Sequence, residues 1–139
     1  MTILDTNVVS ELMRPNPSPN VTGWLSGQKR EDIFTTAITV SETLYGIEIL
    51  PKGRRRDFLL RAAEGIFAED FAGCILSFNE SAARAFALIS SARRSQGRPI
   101  GTHDAQIAAI AKANGATVAT RDLEDFERCG VPLINPWEG

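Results

Sequence analysis

The sequence has 139 residues and few of the residue types that build nitrogen- or sulfur-rich sites. It contains one histidine, His103, and two cysteines, Cys74 and Cys129, which lie far apart. This scarcity excludes a histidine-rich metal site, a disulfide framework and a cysteine zinc site. A mechanism that pairs a serine or cysteine nucleophile with histidine would depend on His103 alone.

Long apolar segments are also missing. No uninterrupted apolar run exceeds five residues, as in 107–111, whereas a membrane-spanning helix needs about 20. The chain passes from Met1-Thr2 directly into Ile3-Leu4, without the basic and apolar segments of a secretion signal. We therefore expect a cytoplasmic protein that has no membrane partner.

Size and charge are those of an ordinary globular protein. A length of 139 residues predicts a single domain over 1–139. Acidic residues number 17 and basic residues 15, and the resulting net charge of −2 does not by itself indicate a nucleic-acid-binding protein. Carboxylates are therefore the most available catalytic groups.

Short apolar runs alternate with helical patterns along the whole chain. This alternation predicts an α/β fold, a three-layer α/β/α sandwich with a central parallel sheet. Three prolines at alternate positions make 14–20 a stiff extended loop. The predicted strands are 2–6, 33–36, 73–77, 116–120 and 132–134, and the predicted helices are 8–13, 21–29, 39–50, 57–71, 80–95, 102–114 and 123–129.

Four acidic residues fall at strand exits or helix starts: Asp5, Glu42, Asp104 and Asp122. Each has a purely structural explanation. Asp5 and Asp122 could be helix N-caps, Glu42 could close a capping box with Thr39, and Asp104 could interact with its own helix N-terminus. However, these positions meet at one edge of a parallel sheet, where α/β proteins bind their ligands.

Clustered carboxylates need a neutralising partner. Two of them about 4 Å apart repel by roughly 4 kcal/mol at an effective dielectric constant of 20. A proton or a cation relieves this repulsion, and oxygen ligands without histidine or thiolate suit Mg²⁺ or Mn²⁺. Gly46, one helical turn after Glu42, would leave open space beside that carboxylate. The set of acids therefore predicts metal-assisted hydrolysis of a phosphate ester.

Four segments, 4–11, 37–46, 103–111 and 119–126, occur in the order and spacing of PIN-domain proteins. The chain most resembles VapC/FitB-like toxins of bacterial type II toxin–antitoxin systems. The resemblance implies a PIN-like α/β/α fold and a Mg²⁺- or Mn²⁺-dependent endoribonuclease that leaves a 5′-phosphate and a 3′-hydroxyl. It also implies a homodimer, an RNA substrate and inhibition by a cognate antitoxin, which usually carries a DNA-binding domain.

The same resemblance assigns roles to individual acids. Asp5, Glu42 and Asp104 match the first three acids of the family. Relatives of the family carry the fourth acid at one or the other of two positions, and this chain has an aspartate at both. Asp122 is the first choice for the fourth acid and Asp125 is the second. Asp5, Asp104 and Asp122 are the expected metal ligands, and Glu42 would complete the site or orient water.

Residues beside the acids are expected to support them. Thr6 and Thr120 flank the acids, and their hydroxyls could orient a carboxylate or a water, or could cap helices. Arg14 and Arg121 lie beside motif positions and are candidates for contacts with substrate phosphates. Two further basic groups, 52–56 and 93–98, could hold a phosphate backbone or could form a solvated surface.

Two other functions stay open from the residues alone. One is a haloacid-dehalogenase-like phosphatase in which Asp5 is the nucleophile, although Asn7 stands where that family has its second acid. Such an enzyme also needs a well-placed lysine, and Lys112 lies on the wrong side of its helix from Asp104. The other is a non-catalytic PIN-like binding module, against which the presence of all four acids argues.

Overall fold

The computed structural model describes residues 1–138 and contains a parallel sheet of five short strands. Gly139, the last residue of the predicted domain, lies outside the described residues. The sheet has the order β3-β2-β1-β4-β5. The strands are β1 (Thr2–Leu4), β2 (Ile33–Thr36), β3 (Ile75–Leu76), β4 (Thr117–Ala119) and β5 (Leu133–Ile134).

Helices cover both faces of this sheet. They are α1 (Thr6–Leu12), α2 (Pro19–Ser26), α3 (Ala37–Glu48), α4 (Arg54–Gly65), α5 (Glu80–Ser95), α6 (Thr102–Asn114) and α7 (Leu123–Phe126), with a 3₁₀ turn at Arg30–Asp32 and a π-helical segment at Ile66–Asp70. Ile3 of β1 packs into a core with α5 and α6, whereas the adjacent Leu4 packs into a core with α1 to α4. Successive strand residues point to opposite faces, so the two cores confirm the predicted three-layer α/β/α sandwich.

The order of the strands determines where a ligand can bind. From β1 the chain adds β2 and then β3 on one side, and it later places β4 and β5 on the other side. The direction of winding therefore changes between β1 and β4, and such a switch point leaves a crevice at the carboxyl ends of the two strands. Asp5 directly follows β1, and Thr120 directly follows β4.

The helix that carries Glu42 begins earlier than predicted. It starts at Ala37 and its N-cap is Thr36, whose hydroxyl accepts a hydrogen bond from the Thr39 backbone N–H at 3.1 Å. Thr39 is therefore inside the helix and cannot be the N-cap of a capping box. The capping-box interpretation of Glu42 is wrong, because this residue lies in the second turn of α3.

The prediction of a solvated basic surface is wrong for Arg93. This side chain is buried, and its guanidinium donates hydrogen bonds to the backbone carbonyls of Arg98, Asp125 and Glu127 at 2.7 to 2.9 Å. It thereby ties the end of α5 to the segment that follows β4. Among the described residues 1–138, no helix is long and apolar enough to cross a bilayer.

Replacing Arg93 with methionine is expected to lower the free energy of unfolding by about 3 kcal/mol, because three backbone carbonyls lose the buried guanidinium that donates to them. Denaturant unfolding measures this change. Arg94→Met is the matched control, since Arg94 is the exposed neighbour on the same helix and its replacement should change stability by less than about 0.5 kcal/mol. Equal losses in the two variants would contradict a structural role for Arg93.

Candidate active site

A cavity of about 740 Å³ opens at the carboxyl ends of the central strands. Asp5, Glu42, Asp104 and Asp122 all line it, although the first and the last are separated by most of the chain. The structure thus brings together the four acids that the sequence placed at one edge of the sheet. A Cβ atom added to Gly46, which also lines the cavity, would meet nothing within 4 Å, so the space beside Glu42 is open.

Asp5 is the most buried of the four acids. Its Oδ1 accepts a hydrogen bond from the Thr6 backbone N–H and its Oδ2 accepts one from the Thr120 hydroxyl, both at 2.8 Å. Burial raises the pKa of Asp5 from 3.8 to about 6, the two hydrogen bonds oppose that shift, and the charges of Asp104 and Glu42 add to it. Asp5 is therefore both the N-cap of α1 and a wall of the cavity.

Asp104 lies in the first turn of α6, on the stripe that continues into the fully buried Ile107 and Ala108. Burial, followed by the charges of Asp125, Glu42 and Asp122, raises its pKa from 3.8 to about 6, and His103 opposes this shift. The effect of three other carboxylates on one aspartate shows that the acids crowd each other.

Asp122 and Asp125 occupy different positions relative to the cavity. Asp122 lines it, and its Oδ2 accepts a hydrogen bond from the Asn7 amide at 3.0 Å. Asp122 occupies the N-cap position of α7 as predicted, but its side chain accepts no hydrogen bond from that helix, so capping does not explain why a carboxylate stands there. Asp125 does not line the cavity, yet its charge is the largest Coulombic influence on the pKa of Asp104.

Two threonine hydroxyls hold the acids, as one of the sequence interpretations proposed. Thr120 is fully buried and, besides donating to Asp5, accepts a hydrogen bond from the Asp122 backbone N–H at 3.0 Å. Thr6 donates to Oε1 of Glu42 at 2.8 Å. Each hydroxyl therefore links two elements of the site rather than only capping a helix.

Arginines surround the acidic part of the cavity. Arg14 and Arg121 line it as predicted residues, and Arg55 lines it as well. The sequence identifies Arg55 only as part of the basic group 52–56, because no local sequence pattern shows that α4 brings this side chain to the cavity. The guanidinium of Arg121 lies 4.9 Å from the ring centroid of Trp137, a cation–π contact that fixes its place. Arg14 is held by Glu11, whose Oε1 is 3.2 Å from its Nη1.

The donor set fits a hydrated, hard divalent cation. It consists of carboxylate oxygens, and the pKa values of Asp5 and Asp104 are raised by burial and, to a smaller extent, by the neighbouring negative charges, both of which a bound cation would offset. Within residues 1–138, no three acidic, histidine or cysteine side chains are arranged as a complete set of ion ligands. A small hard cation keeps several of its waters, so it does not need three direct protein ligands.

The two raised pKa values predict an unusual dependence of stability on pH. The folded protein holds protons on Asp5 and Asp104 up to about pH 6, whereas the unfolded chain releases them near the ordinary value of 3.8. Without metal, the contribution of these groups to stability is therefore largest near pH 4 and is lost as the pH rises through 6. Denaturant unfolding in EDTA at several pH values measures this trend. The contribution of Asp104 should disappear in Asp104→Asn; an unchanged slope would contradict the prediction.

Comparisons with known proteins give one consistent result. The PIN domain family profile matches residues 2–131. VapC ribonuclease Y4jK of Sinorhizobium fredii is 41% identical over 138 residues, and Toxin FitB of Neisseria gonorrhoeae is 41% identical over 137 residues; each alignment covers 99% of both chains. The crystal structure of FitAcB from Neisseria gonorrhoeae matches with a TM-score of 0.89 at 39% identity and covers 100% of both chains.

Proposed function

The chain belongs to the PIN domain family, and from this premise we propose that it is the toxin of a type II toxin–antitoxin pair. Its proposed activity is that of a metal-dependent endoribonuclease, which hydrolyses RNA phosphodiester bonds. The chain is proposed to form a single domain over 1–139. One observation carries the proposal: four acids from distant parts of the chain line one cavity, where burial, together with the charges of the neighbouring acids, raises the pKa of two of them. The ribonuclease and toxin relatives support the same activity.

We propose that Asp5, Asp104 and Asp122 hold Mg²⁺ or Mn²⁺, either directly or through waters that the ion keeps. When bound, such an ion activates water and stabilises the charge that develops on a phosphate during hydrolysis. Thr120 keeps Asp5 oriented through its hydroxyl hydrogen, which also favours the ionised form of that carboxyl group. Glu42 faces the same cavity, and its proposed role is to orient the attacking water or to accept its proton.

The three cavity arginines are the proposed contacts for RNA phosphates. Arg14, Arg55 and Arg121 come from three different parts of the chain and line the same cavity as the acids. Guanidinium groups suit this task because their planar arrangement of donors matches phosphate oxygens. They would hold the phosphates that flank the reacting one and offset the repulsion between RNA and the carboxylates.

Two partners follow from the proposal besides RNA. A toxin that cleaves RNA in its own host requires an inhibitor, and we propose a cognate antitoxin protein for this role. The solved FitAcB structure, which this chain matches over its full length, supports such an assembly. A homodimer of the chain is proposed on the family resemblance.

The phosphatase alternative is less well supported. Asp5 lies in the cavity, but no lysine is among the described residues that line it. Lys112 instead donates a hydrogen bond to the Gly130 carbonyl at 3.1 Å. A phosphotransfer site with an aspartate nucleophile therefore lacks the lysine that it needs. The binding-module alternative leaves the four crowded acids without a reason.

The test is cleavage of total RNA by the purified chain, freed of any antitoxin. Cleavage is expected with Mn²⁺ and not with EDTA, and mapping of the ends should find 5′-phosphates at the cut sites. Beryllofluoride bound to Asp5 without RNA cleavage would instead support the phosphatase. Weak or absent Mn²⁺ binding, together with intact RNA, would support the binding module.

A further inference from the structure

Glu42 is held from two sides by hydrogen-bond partners on different helices. Thr6 at the start of α1 donates to Oε1 at 2.8 Å. On the other side, Nδ1 of His103 lies 3.1 Å from Oε2. His103 is the only histidine of the chain and is exposed, with 59% of its side chain accessible, compared with 27% for Glu42.

Each threonine hydroxyl has a single hydrogen, and this fixes which oxygen donates in the hydrogen bonds that lead through Thr6 to Glu42. An ionised carboxylate only accepts, so the single hydroxyl hydrogen of Thr6 goes to Glu42. The hydroxyl of Thr39, which is 3.0 Å from that of Thr6, must therefore donate to it. Thr36 in turn donates to Thr39 at 3.5 Å. Oε1 of Glu42 is thus the end of a chain of three hydroxyls, of which Thr36 and Thr39 are buried and Thr6 is partly buried, and every hydrogen in this chain is already used.

Nothing comparable fixes Oε2. The neighbouring position one helical turn away is Gly46, and a side chain there would meet nothing within 4 Å. Glu42 has three rotatable side-chain bonds and open space beside it, so one hydrogen bond to Oε1 leaves it free to turn. The contact with Oε2 therefore has to come from His103, whose imidazole is the only partner of that oxygen among the described residues.

We propose that His103 is a positioning residue, which donates Nδ1–H to Oε2 of Glu42 and keeps that carboxylate directed at the cavity. The proposal rests on the ribonuclease activity proposed above and adds to it a residue that the four acids do not include. The imidazole acts here through geometry, because Nδ1–H can donate whether or not Nε2 also carries a proton.

Three substitutions separate this role from others in an RNA cleavage assay. His103→Ala is expected to lower kcat by about 10-fold and to leave the KM for RNA unchanged, because partners that orient a functional group typically contribute 10- to 100-fold. His103→Asn should restore kcat to within about threefold of the wild type. The asparagine amide nitrogen stands as many bonds from the backbone as Nδ1 does. His103→Gln, whose amide is one bond further out, should behave like alanine.

Other outcomes of this assay overturn the proposal. A higher KM in all three variants with kcat unchanged would mean that the imidazole binds RNA directly. Failure of asparagine to restore kcat would mean that the donor at Nδ1 is not what matters. If the wild-type protein cleaves no RNA, the proposed ribonuclease activity is contradicted. A second measurement, which needs neither metal nor RNA, then tests whether His103 donates a hydrogen bond to Glu42.

That measurement is the tautomer of the single imidazole, read from its ¹⁵N NMR signals in EDTA at about pH 8.5, where a histidine is ordinarily neutral. Donation to Glu42 requires the hydrogen on Nδ1, whereas a solvated imidazole prefers it on Nε2. We expect the Nδ1–H form in the wild type and the Nε2–H form in Glu42→Ala. The matched control is Glu48→Ala, on the same helix, which should leave the tautomer unchanged. An Nε2–H form in the wild type would overturn the proposal.

Discussion

Asp5→Asn is expected to lower the rate of Mn²⁺-dependent RNA cleavage by about 100-fold or more. This factor corresponds to about 2.7 kcal/mol of transition-state stabilisation, within the several kcal/mol that a metal ion supplies in phosphate hydrolysis. The reason is that Asp5 directly follows the central strand β1 and lines the cavity, and an amide at this position cannot supply a negatively charged ligand. Cleavage of a defined RNA under single-turnover conditions measures the loss.

The same substitution should leave the protein folded. Asparagine is as good an N-cap as aspartate, so the hydrogen bond from the Thr6 backbone N–H can remain. Removal of the buried charge should stabilise the metal-free protein, whereas loss of the acceptor for the Thr120 hydroxyl should destabilise it, so the net change in the free energy of unfolding should stay within about 1 kcal/mol. Asp32→Asn, in the exposed 3₁₀ turn, is the control that should keep full activity. Full cleavage by Asp5→Asn would refute the assignment of Asp5 as a metal ligand.

Parts of the fold could be predicted to the residue. The ends of β2 at 33–36 and of α6 at 102–114 agree with the sequence prediction. Both elements have strong local signals: a run of residues with high strand propensity directly after the polar segment 28–32 in one case, and a buried stripe that ends at a glycine in the other. Gly115 indeed has a φ of 62°, a backbone conformation that glycine adopts without strain.

Other features depend on contacts that no local pattern reveals. Arg93 looks like a surface residue in sequence because its partners, the carbonyls of Asp125 and Glu127, are 32 and 34 residues away. The helix predicted over 57–71 begins instead at Arg54 and changes at Ile66 into a π-helical segment. All strands except β2 are shorter than predicted, since pairing with neighbours decides where a strand ends.

The candidate site likewise has features that the sequence predicts and features that it does not. Its acids could be placed together because strand exits in a parallel sheet share an edge, which is a property of the topology. Their hydrogen-bond partners could not be placed, since Thr6 reaches Glu42 across 36 positions and His103 reaches it across 61. The choice between Asp122 and Asp125 is equally beyond sequence, because both lie near Asp104 and only Asp122 lines the cavity.

Asp104→Asn is expected to stabilise the metal-free protein and to abolish its stabilisation by Mn²⁺. At pH 7.5 the wild-type carboxylate is ionised, although its surroundings disfavour the charge and raise its pKa to about 6. Removing the charge should therefore add about 1–2 kcal/mol to the free energy of unfolding in EDTA, after allowance for solvent screening. A helix-capping aspartate would behave in the opposite way, because its loss lowers stability with or without metal.

The response to Mn²⁺ is what distinguishes a ligand from a neighbour. At 100 times its dissociation constant, an ion that binds only the folded state stabilises it by about 2.7 kcal/mol. The wild type should gain this amount and Asp104→Asn should not, as followed by thermal melts with EDTA and with Mn²⁺. Asp125→Asn should also stabilise the metal-free protein, because its charge raises the pKa of Asp104, yet it should keep the Mn²⁺ response because it does not line the cavity. Loss of that response in Asp125→Asn but not in Asp122→Asn would make Asp125 the fourth acid of the site.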